Sequence, residues 1–161
     1  MLHANRRSQK NQMVTLEQIK QLREETNLPI LDCKKALEEA KGDLVKARKL
    51  LQDRGVQIAE KKQTREVGEG LIETYLHPTG KVGVLLDVRC ETDFVARSED
   101  FKNLCHELAL QVASMDPTTA EELLKQPYIR DPSKTMKDVI TEAIAKLGEN
   151  IIVKRFSRFE I

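Results

Sequence analysis

Tryptophan is absent from this 161-residue chain, and aromatic residues make up only 4% of it. No charge of one sign prevails: 27 Lys and Arg face 26 Asp and Glu. The chain thus lacks the basic footprint of a nucleic-acid binder, and a protein partner is the default expectation. No apolar run approaches the roughly 20 residues needed to span a membrane. Cys33, Cys90 and Cys105 are few and unevenly spaced. Without a Cys-x-x-Cys pair they suggest neither a disulfide framework nor a zinc site, and a reducing cytoplasm fits. His3, His77 and His106 are scattered, so no metal is expected. The glycine cluster Gly68-Glu69-Gly70 lacks the lysine and spacing of a phosphate loop. A thiol enzyme would have to use Cys90 or Cys105 with His77 or His106, yet Cys105 falls on a helical apolar stripe and its neighbour His106 faces another direction. Neither catalytic residues nor a cofactor is expected, and no internal repeat is visible.

One residue in three is charged, which describes a well-solvated, helix-rich protein. The length suits one ordinary core plus a small module. Residues 1–13 are polar and basic, without the apolar core of a secretory signal, and are read as a disordered tail; a targeting remnant, or an extension before Met13, are the alternatives. From there to Gly55 three short helices are punctuated in turn. Thr15 and Gln18 form a capping box ahead of Leu16, Ile19 and Leu22, and Thr26-Asn27 interrupts. Pro29 starts a second helix whose stripe is Cys33, Ala36, Leu37 and Ala40, with Gly42 as its stop. Asp43 caps a third helix with Leu44, Ala47, Leu50 and Leu51 inside, and Gly55 is expected to close it. So small a bundle, residues 14–55, suits recognition better than catalysis. Residues 56–66 read as a polar, partly helical linker.

From Val67 onward the period becomes two. Gly70 to His77 and Val82 to Glu91 are strands joined through Pro78-Thr79-Gly80. Ser98 followed by Glu99 and Asp100 marks a helix start, and Phe101, Leu104, Cys105, Leu108, Ala109 and Val112 form its inner stripe. After a proline-punctuated stretch with one short helix, Met136 to Leu147 repeats the helical stripe up to Gly148, and Ile151 to Phe159 is a last strand. The expected class is α+β: a three-helix module, a linker, and over residues 67–161 a three-stranded antiparallel sheet with helices on one face.

Three strings carry function or its scaffold. In the second strand Val84, Leu86, Val88 and Cys90 share one face, and the chain then runs into Thr92-Asp93-Phe94-Val95-Ala96. At the second helix Leu28-Pro29-Ile30-Leu31 leads into Asp32-Cys33-Lys34-Lys35-Ala36-Leu37. At 100° per residue Leu31 points nearly opposite the buried stripe and should be exposed, with Ile30 marginal. The third string is Lys146-Leu147-Gly148-Glu149-Asn150, for which a tight helix-to-strand turn is a sufficient role. Read from residues alone, Phe94 would pack on the sheet, single exposed leucines are ordinary, and Lys20 and Arg23 solvate a helix face.

Together the strings resemble elongation factor Ts, the guanine nucleotide exchange factors of the translational GTPase elongation factor Tu, and the helical module resembles the ubiquitin-associated type that opens that family. The resemblance implies that Phe94 is inserted between helices of the GTPase, with Thr92, Asp93 and Val95 of the same motif at the contact, and that Ile30, Leu31, Lys20 and Arg23 of the module touch it as well. It also implies a short form: typical members carry two similar subdomains, and this chain has residues for one. A sheet surface covered in longer relatives would be bare here, so a homodimer is expected. The implied setting is a bacterial cytoplasm, with an organellar matrix or stroma as the alternative, and with contact to neither nucleic acid nor membrane. The competing reading is a ubiquitin-associated-type binding module with a dimerisation domain and no exchange activity.

Overall fold

The computed structural model describes residues 14–161; the stretch 1–13, read above as a tail, lies outside them. The chain forms two compact units that divide between Asp53 and Arg54.

In the first unit, α1 (Leu16–Thr26) starts on the expected reciprocal box: the Gln18 N–H donates to Thr15 Oγ1 at 3.2 Å and the Thr15 N–H to Gln18 Oε1 at 3.0 Å. It ends at Asn27 in the left-handed region, φ 54°, a conformation asparagine tolerates better than most residues. Pro29 then precedes α2 (Ile30–Glu39). The carboxylate of Asp43 accepts from the Val45 and Lys46 N–H groups at the start of α3 (Leu44–Lys62). Ile19, Leu22, Cys33, Ala36, Leu37, Ala40, Ala47 and Leu51 are buried together, with Leu44 and Leu50 half-buried beside them; Leu16, expected on the same stripe, is instead 84% exposed, because it is the first residue of α1, before the turn that packs on α2.

α3 corrects one expectation: Gly55 does not end it. A glycine stops a helix by adopting positive φ, and Gly55 is not among the residues that do. It is buried, and a Cβ built on it would lie 3.4 Å from the Cβ of Ala145, so the missing side chain permits close packing within the second unit. The helix therefore continues through residues 56–62, and Ala59 packs against the second core.

That unit contains the antiparallel sheet β1 (Glu69–Leu76), β2 (Val82–Cys90) and β5 (Ile152–Glu160), in the order β1-β2-β5. On one face Val84, Leu86, Val88 and Cys90 are buried against α5 (Glu99–Met115), which supplies Phe101, Leu104, Cys105, Leu108, Ala109 and Val112 as expected. α7 (Met136–Leu147) completes the core with Met136, Ile140 and Ile144 and ends on Gly148 at φ 77°. α4 (Asp93–Arg97) and α6 (Ala120–Lys125) are short, and β3 (Pro127–Tyr128) pairs with β4 (Asp131–Thr135) in a small hairpin that the sequence reading did not contain. Fully buried Gln111 pins this hairpin: its amide donates to the Pro127 carbonyl at 3.0 Å and accepts the Ile129 N–H at 3.0 Å.

Among the described residues of this unit, no helix covers the opposite face of the sheet. Cross-strand pairing sets Leu76, Gly83 and Phe159 in one row, Thr74, Leu85 and Ser157 in the next, then Ile72, Asp87 and Arg155. Ile72, Leu76, Leu85 and Phe159 are all exposed. Asp87 is the exception at 4% exposure. Arg89 closes over it with bonds of 2.5 and 3.1 Å, and Arg155 adds a longer one at 3.4 Å.

Candidate protein-binding site

The end of β2 leads directly into a helix of five residues, α4. A helix that short has no stability of its own, because nucleation costs more than one or two internal bonds return. Its geometry is imposed from both ends. At the N-terminus Thr92 is extended (φ −126°, ψ 156°) and its hydroxyl oxygen accepts the Val95 N–H at 3.4 Å. The thiol of buried Cys90 donates to the Thr92 carbonyl at 3.2 Å. At the other end Ser98 takes over as cap for α5, its oxygen accepting from the Phe101 N–H at 3.3 Å.

Within this frame Ala96 is buried, Val95 half-buried, and Phe94 is 81% exposed. Packing of the ring on the sheet, the reading from residues alone, is thereby excluded. Asp93 and Arg97, one helical turn apart, form an ion pair at 2.8 Å. A bare ring thus stands on a short, tightly tied turn beside a polar pair.

The ties come from an unexpected quarter. Antiparallel pairing of β2 with β5 sets the exit of β2 beside the turn that leads into β5. Glu149 in that turn accepts the N–H groups of Glu91 and Thr92 at 3.1 and 3.0 Å and the Thr92 hydroxyl at 2.6 Å. In return the Asn150 N–H donates to the Glu91 carboxylate at 2.7 Å, which holds Glu91 below the usual carboxylate range, with Arg65 at 3.4 Å adding to the effect. The buried Asn150 amide also donates to the carbonyls of Gln63 and Arg65, at 3.4 and 2.9 Å, and Lys62 donates to the Gly148 carbonyl. Beyond the turn-forming role its sequence suggests, the Gly148-Glu149-Asn150 turn ties down the segment that carries Phe94. Strand order was the signal that could have revealed this.

The other named residues lie in the first unit. Ile30 and Leu31 open α2; Leu31 is 68% exposed, as angular position requires, and Ile30, marginal by angle, is 51% exposed. Lys20 and Arg23 are exposed on α1, three residues apart and so on one side of it. Lys20 approaches Glu24 at 3.9 Å with both side chains largely solvated, a contact worth little.

Other chemistry finds no support in the described residues. They contain no group of three or more His, Cys, Asp and Glu placed to hold a metal, and no helix long and apolar enough to cross a membrane. Cys90 and Cys105 are buried, and burial pushes both thiols up, Cys90 to about 11 and Cys105 further. That is the opposite of the low pKa a nucleophilic thiol requires.

Comparison with known proteins places these features in context. The family described as Elongation factor TS matches residues 91–161, the stretch from the end of β2 to the C-terminus. Elongation factor Ts of Coprothermobacter proteolyticus is 43% identical over 89% of this chain and 95% of its own length. That of Herpetosiphon aurantiacus is 40% identical over 92% of this chain and 98% of its own. The Clostridium kluyveri protein of the same name is 45% identical over 92% of this chain, but the match spans only 49% of that longer relative.

Proposed function

Because the chain belongs to the elongation factor Ts family and so serves translation elongation, we propose that it is a guanine nucleotide exchange factor: it binds elongation factor Tu in its GDP form and promotes GDP release. The observation that carries this reading is Phe94, a large apolar ring held out to solvent on a braced turn. Burying such a ring in a partner is favourable, and its rigid mounting limits the entropy lost on binding.

A GTPase holds its nucleotide mainly through a phosphate-cradling loop and Mg²⁺. A wedge that displaces either element weakens nucleotide binding without touching the base. Phe94 is that wedge, and Thr92, Asp93 and Val95 form the surface around it. Ile30 and Leu31, with Lys20 and Arg23, make a second contact from the helical module of residues 14–55, while residues 67–161 carry the wedge. The work is done by contact, with neither a cofactor nor a covalent step. Coupling is reciprocal, so if the factor lowers nucleotide affinity, incoming GTP lowers the factor's affinity equally and releases it. The reaction belongs in a bacterial cytoplasm.

The apolar outer face of the sheet is where a second copy docks. A longer relative carries about another chain's length of sequence beside its matching half, and two copies of this chain would supply in trans what that relative holds in one chain. Ile72, Leu76, Leu85 and Phe159 are the apolar content of such a two-fold, self-complementary interface.

The test is release of a fluorescent GDP analogue from the cognate elongation factor Tu, with excess unlabelled nucleotide and catalytic amounts of this protein. Marked acceleration supports exchange. Unchanged release from an active partner refutes it and leaves the binding-module reading.

A further inference from the structure

Glu149 belongs to neither contact surface, yet its carboxylate binds Glu91 and Thr92, the residues that lead into the short helix carrying Phe94. We infer that Glu149 is a positioning residue for the Phe94 contact, an inference that rests on the exchange reading and extends it.

The geometry is a relay of three links. Glu149 Oε1 accepts the hydroxyl hydrogen of Thr92 at 2.6 Å, while Oε2 accepts the N–H groups of Glu91 and Thr92. With its hydrogen committed to Glu149, the Thr92 oxygen presents its lone pairs to the Val95 N–H, the N-cap bond that starts α4. Phe94 is the second residue of that helix, so the direction of its Cα–Cβ bond follows from where the first turn is set. Five residues cannot maintain that setting unaided.

Glu149 is itself held on both sides. Gly148 makes the left-handed turn before it and its carbonyl accepts from Lys62; after it, the Asn150 N–H returns a bond to the Glu91 carboxylate. Two acidic side chains thus cross between adjacent segments in opposite senses, Glu149 onto residues 91 and 92 and Glu91 onto residue 150. Hydrogen bonds to a charged acceptor are stronger than neutral ones, and these converge on Glu91 and Thr92, the two residues immediately before α4.

A purely structural role predicts something different. The core of this unit is the packed face of the sheet against α5 and α7, and Glu149 is not part of it. Removing its carboxylate should loosen α4 while leaving β2–β5 pairing in place. Glutamine can recover most of the arrangement: its carbonyl oxygen accepts the two backbone N–H groups, and its amide donates to the Thr92 hydroxyl.

The experiment uses the full chain and four variants, Glu149→Ala, Glu149→Gln, Phe94→Ala and the Glu149→Ala/Phe94→Ala double, in GDP release with thermal unfolding and amide hydrogen exchange in parallel. Glu149→Ala should lower kcat/KM roughly ten- to hundred-fold, the scale for misplacing a contact by an ångström. Val95 and Ala96 amides should lose protection while β2–β5 amides keep theirs, and Glu149→Gln should retain activity within about threefold, the loss of a single modest hydrogen bond at most. In the Phe94→Ala background Glu149→Ala should have no further effect, because the group it positions is gone. Additive losses, or full exchange by Glu149→Ala when Phe94→Ala is impaired, overturn this inference alone. Full exchange by Phe94→Ala overturns the exchange reading and the inference with it.

Discussion

Replacing Phe94 by alanine separates a binding tool from a core residue, because the ring is 81% exposed and contributes almost nothing to the packed interior. Folding stability should therefore stay within about 0.5 kcal/mol of the parent. If anything it rises slightly, since alanine favours a helix by a few tenths of a kcal/mol over phenylalanine. The effect on a partner is larger. An aromatic side chain carries roughly 150–250 Å² of surface, and burying about 120 Å² of it at about 25 cal/mol per Å² gives about 3 kcal/mol. Alanine keeps a small part of that, which leaves a loss of about 2–3 kcal/mol, or roughly 30- to 160-fold in kcat/KM. The assay is GDP-analogue release across a range of factor concentrations, with thermal unfolding of the variant alongside. A decrease of less than about threefold, well below any anchor residue, would refute the wedge. A fall in Tm above about 5 °C would refute the premise that the ring is free in the unbound protein.

Three further outcomes are expected. Gly70 sits at φ 147°, and a Cβ there would fall 2.1 Å from the Val88 carbonyl oxygen; Gly70→Ala should cost about 3 kcal/mol or more and lower Tm by roughly 10 °C, whereas an unchanged Tm would show that β1 can shift freely. Leu85→Lys with Phe159→Lys puts charges on the bare sheet face, and light scattering should then report a monomer with circular dichroism unchanged; persistence of a dimer would place the interface elsewhere. Acid should destabilise the fold in a definite direction: the guanidinium of Arg89 holds Asp87, and the Asn150 N–H holds Glu91, below their ordinary values. Folded chains then bind fewer protons than unfolded ones, so this stability is present above about pH 4 and lost as pH falls through the folded pKa values. Denaturant unfolding between about pH 5 and 2 should show that slope, and Asp87→Asn should flatten it; an equal slope in the variant would remove Asp87 from the account.

What could be read from the sequence divides along the line between local and long-range causes. The Thr15–Gln18 box, the Ser98 cap and the stripe of Cys33, Ala36 and Leu37 depend on neighbours within a turn or two, and all appear as expected. Sequence does not distinguish the helical Gly55 from a stop, because the two differ in φ, and the contact with Ala145 that gives Gly55 its use lies ninety residues away in sequence. Asp87 belongs by alternation to the open face of the sheet, and only Arg155 from another strand, with Arg89, explains its burial. The β3–β4 hairpin contains Pro132 and charged residues that argue against a strand, and Gln111 fixes it from α5. At the site, exposure of Leu31 followed from angle, and prominence of Phe94 from the motif. The carboxylate that braces Thr92 could not be seen before strand order placed residue 149 beside residues 91 and 92.

That brace bears on how an exposed ring can be efficient. A phenylalanine on a loose loop would have to be ordered when it binds, at a cost of about 0.5–1.5 kcal/mol for the side chain and more for each backbone residue fixed with it. Here the backbone from Glu91 to Ser98 is ordered during folding by Glu149, Cys90 and Ser98, so little of that cost falls on the encounter. The Asp93–Arg97 pair keeps the surroundings polar, and a single ring beside an ion pair is far smaller than the apolar patches that mark stable interfaces. Under the proposed exchange role, a stiff wedge of this kind acts fully once seated, and reciprocal coupling releases the factor when incoming nucleotide opposes it.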